Sequence, residues 1–310
     1  MPYFCTMNFT VQILGSSAAL PTSQRNPSAQ VLDYNGQLFL IDCAEGTQMQ
    51  MRKFGISMRR VSHIFISHLH GDHYFGLVGL LFSYQLLGRT EDLHIYAQKD
   101  LEQIINLQLQ VSQTRLSYPL FFHPINPEER KIILDDDKLT VETIPLEHSL
   151  PCCGFLFREK PLPLKIDKRF LIKEIIPISE FARIKAGGDY LSPEGVLYKN
   201  SEITIAPPKA HSYAYCSDTL YSERIVPQIT GVDVLYHEAT FMNDKRTSAT
   251  EKFHSTAQQA AEIARQAGTG TLIIGHFSAR YDDLQPMLEE AKRIFENTVL
   301  AEEGLTISVR

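Results

Sequence analysis

The sequence predicts a mixed α/β (α+β) protein, built as a four-layer αβ/βα sandwich with a projecting arm. Each half of the chain begins with strand-like segments and continues with alternating strands and helices, an order that suits two similar halves packed together. The length of 310 residues and the hydrophobic fraction of 44% suffice for one large domain or two ordinary ones. Because both halves follow the same order of elements, we expect a single domain over residues 1–310.

The first half is predicted to begin with strands and to continue with helices around one buried strand. Apolar and polar residues alternate at 8–14 and 29–42, which indicates strands, and a loop rich in Gly, Ser, Pro and Asn separates them. A short apolar run at 64–67 indicates a buried strand. Helices are predicted at 47–54, 77–87 and 101–110.

The second half repeats this order. Its predicted strands are 139–145, 154–158, 212–216, 232–236, 272–275 and 305–309. Its predicted helices are 256–266, which ends at Gly268, and 282–297.

A stretch from residue 159 to about residue 190 interrupts the alternation and predicts the arm. It mixes prolines with basic residues and holds a candidate helix near 178–186. Residues 158–185 contain eight Lys or Arg against four Asp or Glu, a local balance of +4 in a chain of net charge −6. Such a segment could grip a phosphate backbone, and the alternative is an ordinary solvated face.

Composition excludes several classes of protein. No run of about 18 apolar residues is present, so no membrane-spanning helix is expected. Residues 1–7 lack the pattern of a signal peptide, and either Met1 or Met7 could be the true start. The five cysteines are an odd number without CxxC spacing, which favours free thiols and a cytoplasmic location.

The segment His68-Leu69-His70-Gly71-Asp72-His73 directly follows the buried strand. Imidazole and carboxylate groups are ligands that Zn²⁺ prefers. A strand that ends in a tight turn could direct His68 and His70 at one metal, and Asp72 and His73 at a second. The alternative is a surface sequence that arose by chance.

Three further candidate ligands each follow a strand-like segment in a different part of the chain. They are His148, Asp218 and His276. Taken alone, such a histidine is usually structural or exposed, and such an aspartate usually caps a turn. Together with the histidine-rich turn they predict a metal site assembled from strand ends.

These motifs resemble the tRNase Z (ribonuclease Z) family of the metallo-β-lactamase superfamily over nearly the whole chain. The HxHxDH pattern marks only the superfamily, whereas three later segments are specific to the family: HEATF at 237–241, HST at 254–256 and GHFSARY at 275–281. Other matching segments are LGS at 14–16, DCAEGTQ at 42–48, SHLHGDHYFGLVGLL at 67–81 and YCSDT at 215–219.

The resemblance implies a zinc-dependent endoribonuclease that removes the 3′ trailer from precursor tRNA and leaves a 3′-hydroxyl on the tRNA. It also implies two Zn²⁺ per subunit: one bound by His68, His70 and His148, the other by Asp72, His73 and His276, with Asp218 bridging both. Such a pair of cations stabilises a phosphoryl displacement and generates hydroxide near neutral pH. Asp72 would also orient or deprotonate the attacking water.

The resemblance assigns further roles around the metal site. His254 would protonate the leaving 3′-oxygen and Glu238 would orient it, whereas without the resemblance both are ordinary surface or capping residues. Ser278 and Arg280 would contact phosphate, with helix capping and solvation as the alternative. Asp42 and Glu45 would border the site in supporting roles.

In this family the arm is an exosite that grips the tRNA body, and the short form is a homodimer. Here residues 176–181, with the sequence IPISEF, stand where a Gly-Pro-rich element is usual. The departure leaves the catalytic assignment unchanged and puts the usual mode of tRNA docking in doubt.

Two rival hypotheses remain from the sequence. The first is another hydrolase of the same fold, acting on a lactone, thioester, sulfate ester or small phosphodiester. The second is a protein without hydrolytic activity, either a redox di-iron protein or a metal-free RNA-binding scaffold. A glutamate usually replaces the second histidine of the motif in the di-iron class, so His70 argues against it.

Overall fold

Two seven-stranded sheets, flanked by helices, form the body of the molecule, as predicted. The computed structural model describes residues 8–310, so the candidate start residues Met1 and Met7 lie outside the described part. Within that part, no helix is long and apolar enough to cross a membrane.

The first sheet is formed almost entirely by the N-terminal half. Its strands are β1 (Phe9–Gly15), β2 (Ala29–Tyr34), β3 (Gln37–Cys43), β4 (Val61–Phe65), β5 (Leu93–Ala97), β6 (Leu120–Pro124) and β18 (Thr306–Ser308). Their spatial order is β18-β1-β2-β3-β4-β5-β6, and the pairs from β3 to β6 are parallel.

The segment 29–42, predicted as one continuous strand region, is a hairpin of β2 and β3. Asn35 and Gly36 form its turn with φ values of 51° and 90°. Two consecutive positive φ angles are what a two-residue hairpin turn requires, and Asn-Gly supplies them at the lowest steric cost. The Asn-Gly pair, and not the apolar pattern, is the sequence signal for this turn.

The second sheet carries the C-terminal half. Its strands are β7 (Ile132–Asp135), β8 (Leu139–Leu146), β9 (Cys152–Glu159), β14 (Ser212–Cys216), β15 (Val234–Glu238), β16 (Thr271–Gly275) and β17 (Thr298–Leu300). Their spatial order is β17-β16-β15-β14-β9-β8-β7, with β14 to β17 parallel. β15 begins two residues later than the predicted strand 232–236 and continues to Glu238.

Helices cover the outer faces of the two sheets. Between the strands of the first sheet, the chain forms α1 (Thr47–Lys53), α2 (Gly71–Tyr74), α3 (Leu77–Leu86) and α4 (Asp100–Val111). The second has α8 (Val226–Ile229), α9 (Arg246–Glu251), α10 (Ala257–Ala267) and α11 (Gln285–Lys292). Short 3₁₀ turns lie at Met58–Arg60, Glu223–Ile225 and Asn243–Lys245.

The ends of α10 follow from its sequence, whereas those of α11 do not. Thr256 and Gln259 form a capping box at the start of α10, and Gly268 ends it in the left-handed conformation. The predicted helix 282–297 is limited to α11, because the residues after it turn into β17. Asn297 makes this turn by donating to the carbonyl of Gly270 and the hydroxyl of Thr271.

The core between the two sheets is aromatic. Phe39 and Phe65 of the first sheet pack against Phe155 and Phe157 of the second, with ring centroids 5.4 to 6.0 Å apart. All four side chains are fully buried. A separate apolar cluster lies where helices α1, α3 and α4 cover the first sheet. Since both faces of the first sheet are buried, the strand ends that carry the histidines rest on a rigid frame.

Residues 160–211 form an insertion between β9 and β14 that we call the insert. It contains β10 (Lys165–Ile166), α5 (Lys168–Lys173), α6 (Ile178–Lys185), β11 (Tyr190–Leu191), β12 (Leu197–Tyr198), α7 (Asn200–Ile203) and β13 (Thr204–Ile205). It has a small apolar cluster of its own, which extends to Ile203 and so beyond the predicted range 159–190. Three isoleucines, Ile172, Ile175 and Ile178, are 88%, 94% and 85% exposed.

Candidate metal centre and catalytic cleft

The histidine-rich turn lies between β4 and α3 and is anchored by Asp42. The Asp42 carboxylate accepts hydrogen bonds from the backbone and hydroxyl of Ser67 at 2.8 and 2.9 Å. It also accepts one from Tyr215 and pairs with Nδ1 of His73, both at 2.7 Å. Close packing continues at Gly76, where a Cβ would lie 1.9 Å from the carbonyl oxygen of Ala44.

One group of predicted ligands consists of His68, His70 and His148. Nδ1 of His70 lies 3.0 Å from Nε2 of His68 and 3.2 Å from Nε2 of His148. Oδ2 of Asp218 lies 3.8 Å from Nε2 of both His68 and His148. These four ligand atoms fall within 4.8 Å of one another, so a single cation could contact all of them.

The second group consists of Asp72, His73 and His276. Oδ2 of Asp72 lies 3.6 Å from Nε2 of His73 and 3.5 Å from Nε2 of His276. The other carboxylate oxygen of Asp218, Oδ1, lies 3.4 and 3.2 Å from the same two nitrogens. Asp218 therefore turns one oxygen towards each group, the arrangement that a bridging ligand requires.

The hydrogen bonds of these histidines leave one ring nitrogen free to face the cluster. Nδ1 of His276 bonds the hydroxyl of Thr240 at 3.0 Å, and Nδ1 of His148 bonds the carbonyl of Phe253 at 3.0 Å. Nε2 of His73 and Nε2 of His276 are buried without any hydrogen-bond partner among the described residues. Buried ring nitrogens that lack a hydrogen-bond partner and lie near carboxylates fit a divalent cation. At metal sites the other ring nitrogen usually forms a hydrogen bond that fixes the imidazole.

The electrostatics also suit a cation. Burial alone would raise the pKa of Asp218, but His276 and His73 hold it well below the ordinary value, so the carboxylate is ionised. Burial and the neighbouring His73 lower the pKa of His68, which keeps that imidazole neutral. Burial also opposes the charge on His73, yet Asp218 and Asp42 raise its pKa to about 10. A bound cation would displace the proton that His73 otherwise carries.

His254 and Glu238 form a pair at the edge of the cluster. Nδ1 of His254 lies 2.8 Å from Oε1 of the fully buried Glu238. The carboxylate is held in turn by the backbone of Thr219 and by the hydroxyl of Thr240. Burial lowers the pKa of His254, but the charge and hydrogen bond of Glu238 outweigh it and raise the pKa to about 9. This imidazole is therefore protonated near neutral pH and only partly buried.

The cluster lies in an open cleft of about 610 Å³. Ser278 and Arg280 line it, and Nε of Arg280 donates to the hydroxyl of Ser278 at 3.2 Å. The Arg280 guanidinium also lies 5.0 Å above the ring of Phe241. The cleft walls thus combine one fixed cation with an aromatic surface.

Several residues of this cleft were missed from the sequence. Leu20 and Phe75 line it although they are 64% and 67% exposed, and Lys252 adds a second cation. Phe75 lies two residues after His73, and Lys252 lies two residues before His254. Their closeness to predicted site residues was the signal in the sequence that could have identified them. Tyr215, which holds Asp42, was quoted only as part of a motif.

Comparisons with known proteins find relatives over half or more of the chain. A family model described as anti-Pycsar protein Apyc1 matches residues 9–185, so more than half of the chain fits that family; the match includes the histidine-rich turn and His148 but neither Asp218 nor His276. A protein named ribonuclease Z from Phocaeicola vulgatus is 48% identical over 301 residues, which is 97% of each chain. Another protein of that name, from Bacteroides fragilis, is 46% identical over 97% of this chain and 99% of its own length.

The chain belongs to the ribonuclease Z family. The similarity to these relatives covers 301 residues, whereas the Apyc1 match ends within the insert. Among solved structures, the short form of human tRNase Z superposes with a TM-score of 0.71 at 26% identity, over 97% of this chain and 99% of the human one. A ribonuclease Z fold of this length therefore accounts for nearly the entire molecule.

Proposed function

We propose that this protein is a zinc-dependent endoribonuclease that removes the 3′ trailer from precursor tRNA and leaves a 3′-hydroxyl. The observation that carries the proposal is the cluster of two ligand groups joined by Asp218, next to the His254–Glu238 pair in one open cleft. The names of the relatives point to the same activity.

The residues that would hold two Zn²⁺ are those of the two groups. His68, His70 and His148 would hold one ion, Asp72, His73 and His276 the other, and Asp218 both. When bound, such a pair supplies Lewis-acid stabilisation of phosphate charge and lowers the pKa of water. Asp42 fixes the orientation of the His73 ring, and Thr240 fixes that of the His276 ring.

His254 is the proposed proton donor. A ribose 3′-oxygen leaves poorly as an alkoxide, so a positioned acid accelerates the step. The buried Glu238 keeps His254 protonated and fixes its ring, so that Nε2 is the nitrogen left to deliver the proton. Asp72, whose side chain is 12% exposed at the cleft floor, orients or deprotonates the attacking water.

Substrate binding would use the cleft walls and the insert. Ser278 and Arg280 would contact the phosphate next to the scissile bond. The basic and exposed surface of the insert would grip the tRNA body, as an exosite arm. In keeping with the short form of the family, we propose a homodimer that acts in the cytoplasm.

The decisive experiment incubates the zinc-loaded protein with a 3′-extended precursor tRNA and maps the cut. We expect one cut after the discriminator nucleotide or near CCA, a 3′-hydroxyl on the tRNA, and two zinc ions per chain by metal analysis. An intact precursor alongside rapid hydrolysis of small esters or phosphodiesters would support the alternative hydrolase instead. Two iron ions, or no bound metal, would contradict the proposed cofactor.

A further inference from the structure

The catalytic cleft has an apolar surface beside the second ligand group. Leu20 and Phe75 line this part of the cleft and are 64% and 67% exposed. Their segments meet at one contact, because the backbone N–H of Ala19 donates to Oδ2 of Asp72 at 2.7 Å. Leu20 directly follows Ala19, and Phe75 lies three residues after Asp72. Both apolar side chains therefore extend from segments that are joined at a predicted ligand.

The ring of Phe75 is supported by its neighbours although it is exposed. A Cβ on Gly71 would lie 2.2 Å from Cε2 of Phe75, so the ring occupies space that only a glycine leaves. The ring of Tyr74 meets it edge to face, with the two centroids 5.1 Å apart. The backbone N–H of Phe75 donates to the carbonyl of Gly71 at 2.9 Å. A side chain that is ordered in advance loses little conformational entropy when a ligand packs against it.

Phe75 provides the open aromatic surface of this cleft. Among the described residues that line the cleft, the phenylalanines are Phe75 and Phe241. Phe241 is buried, and the guanidinium of Arg280 lies 5.0 Å from the centre of its ring. The imidazoles of the lining belong to the two ligand groups or to the His254–Glu238 pair. A ring that enters the cleft would therefore find its stacking partner in Phe75.

Cations lie in another part of the same cleft. Arg280 covers Phe241, whose ring centroid is 6.2 Å from that of His254, and Lys252 comes two residues before His254. Grooves that bind single-stranded nucleic acid combine cations that follow the phosphates with aromatic side chains on which bases stack. This cleft has both components, with the cations beside His254 and the exposed ring beside the second ligand group.

We propose that Phe75 stacks on an unpaired base of the precursor, at a nucleotide joined to the scissile phosphate. This inference rests on the proposed function and adds a substrate-positioning contact to it. Every base has an aromatic face, so stacking tolerates different bases. The contact would hold the single-stranded region around the cut without reading its sequence, and Leu20 would add apolar surface beside it.

The test combines a Phe75 variant with precursor tRNAs that carry one abasic nucleotide, directly before or directly after the cut. For the unaltered zinc-loaded protein, one of the two abasic precursors should have a KM about tenfold higher than the intact precursor, the size expected for one stacked base. Phe75→Ala should raise the KM of the intact precursor by a similar factor. It should not add to the effect of that abasic nucleotide, whose position identifies the stacked base.

Three further variants separate stacking from a merely structural role. Phe75→Trp retains an aromatic face and should keep the low KM for the intact precursor, whereas Phe75→Leu retains only apolar volume and should lose it. Phe121→Ala removes a phenylalanine that is 43% exposed on β6, outside the lining of the catalytic cleft, and should retain the effect of the abasic nucleotide. The zinc content of each variant reports whether the metal cluster is still formed.

Crosslinking gives an independent readout. A photoreactive base at the position identified by the abasic precursors should attach to Phe75. An unchanged KM in Phe75→Ala, an equally low KM in Phe75→Leu, or abasic effects that persist in full in Phe75→Ala would overturn the stacking contact and leave the ribonuclease intact. If the unaltered protein cuts no precursor at all, the proposed function itself fails.

Discussion

The metal cluster and the insert represent opposite ways of building a functional region. The cluster lies in a cleft and is formed by residues that follow strands of both sheets, and hydrogen bonds hold most of its side chains. The insert packs around a small cluster of its own and leaves three isoleucines almost fully exposed. The comparison teaches that the predicted ligands rest on a fixed frame, whereas the proposed RNA-binding surface is appended to that frame.

The largest expected effect comes from Asp218→Ala. Among the described residues Asp218 is the carboxylate that faces both ligand groups, so this change removes the negative charge that would lie between two bound cations. We expect metal content to fall and kcat to drop by about 10³-fold or more, on precursor tRNA and on bis(p-nitrophenyl) phosphate alike, because the ligands act as a unit. If the variant retained two zinc ions and normal activity, the proposal that Asp218 joins the two ligand groups would be wrong.

His254→Ala is expected to reduce kcat for precursor tRNA by about 10²- to 10⁴-fold, the usual contribution of a general acid, with zinc content near normal. A loss of zinc instead would show that this histidine is a ligand. Its proximity to Asp218 and His276 makes this control necessary.

Glu238→Gln sharpens the same assignment through pH. The Glu238 carboxylate helps to raise the pKa of His254 from an ordinary 6.5 to about 9. Without this charge the pKa of His254 falls, so the kcat of the variant should begin to decline at a lower pH than the kcat of the unaltered protein. In the metal-free protein the raised pKa stabilises the fold fully below pH 6.5, and this contribution is lost as the pH rises through about 9. Thermal unfolding of both proteins across that range measures the difference. An unshifted kcat profile would remove Glu238 from its proposed role.

Removing the insert tests the other side of the comparison. Arg158 and Ser212 are paired across β9 and β14, so a short turn can replace residues 160–211 without separating the strands. We expect KM for precursor tRNA to rise on the order of 10- to 100-fold through lost phosphate contacts, with hydrolysis of bis(p-nitrophenyl) phosphate unchanged. Equal losses on both substrates would mean that the insert supports the cluster and does not dock RNA. Lys168→Glu with Lys173→Glu, which keeps the insert in place, separates charge from folding.

The smallest effect is expected for Arg280→Ala. Its guanidinium lies over Phe241 in the cleft and is exposed, so the lost phosphate contact should raise KM about three- to tenfold. Lys245→Ala, which removes an exposed cation outside the catalytic cleft, is the control. Identical behaviour of the two variants would assign Arg280 to general surface charge.

The sequence predicts the cluster better than its surroundings for a physical reason. His68 to His73 are close in the sequence, and His148, Asp218 and His276 each follow a strand, so their pattern is local even though their meeting point is not. Tyr215, by contrast, acts through a contact with Asp42 that is formed only by the fold. No periodicity or spacing records such contacts.

The errors in the fold have different origins. The hairpin at Asn35 was missed although Asn-Gly is a local turn signal, because the segment 29–42 was interpreted as one run of strand residues. The helix that begins at Gln285 was extended too far, because its end depends on the contact of Asn297 with a distant strand. At that end a tertiary interaction overrides the local pattern.

The Asp42 carboxylate has a consequence for how the protein is made. It connects the histidine-rich turn, synthesised early, to Tyr215, which emerges from the ribosome much later. Asp218 and His276 come later still, so a nascent chain that ends within the insert carries five predicted ligands without the carboxylate that joins them. Full metal loading would therefore report that both sheets have been completed and packed. A chain that has not yet been synthesised as far as Asp218 and His276 would therefore not cleave RNA.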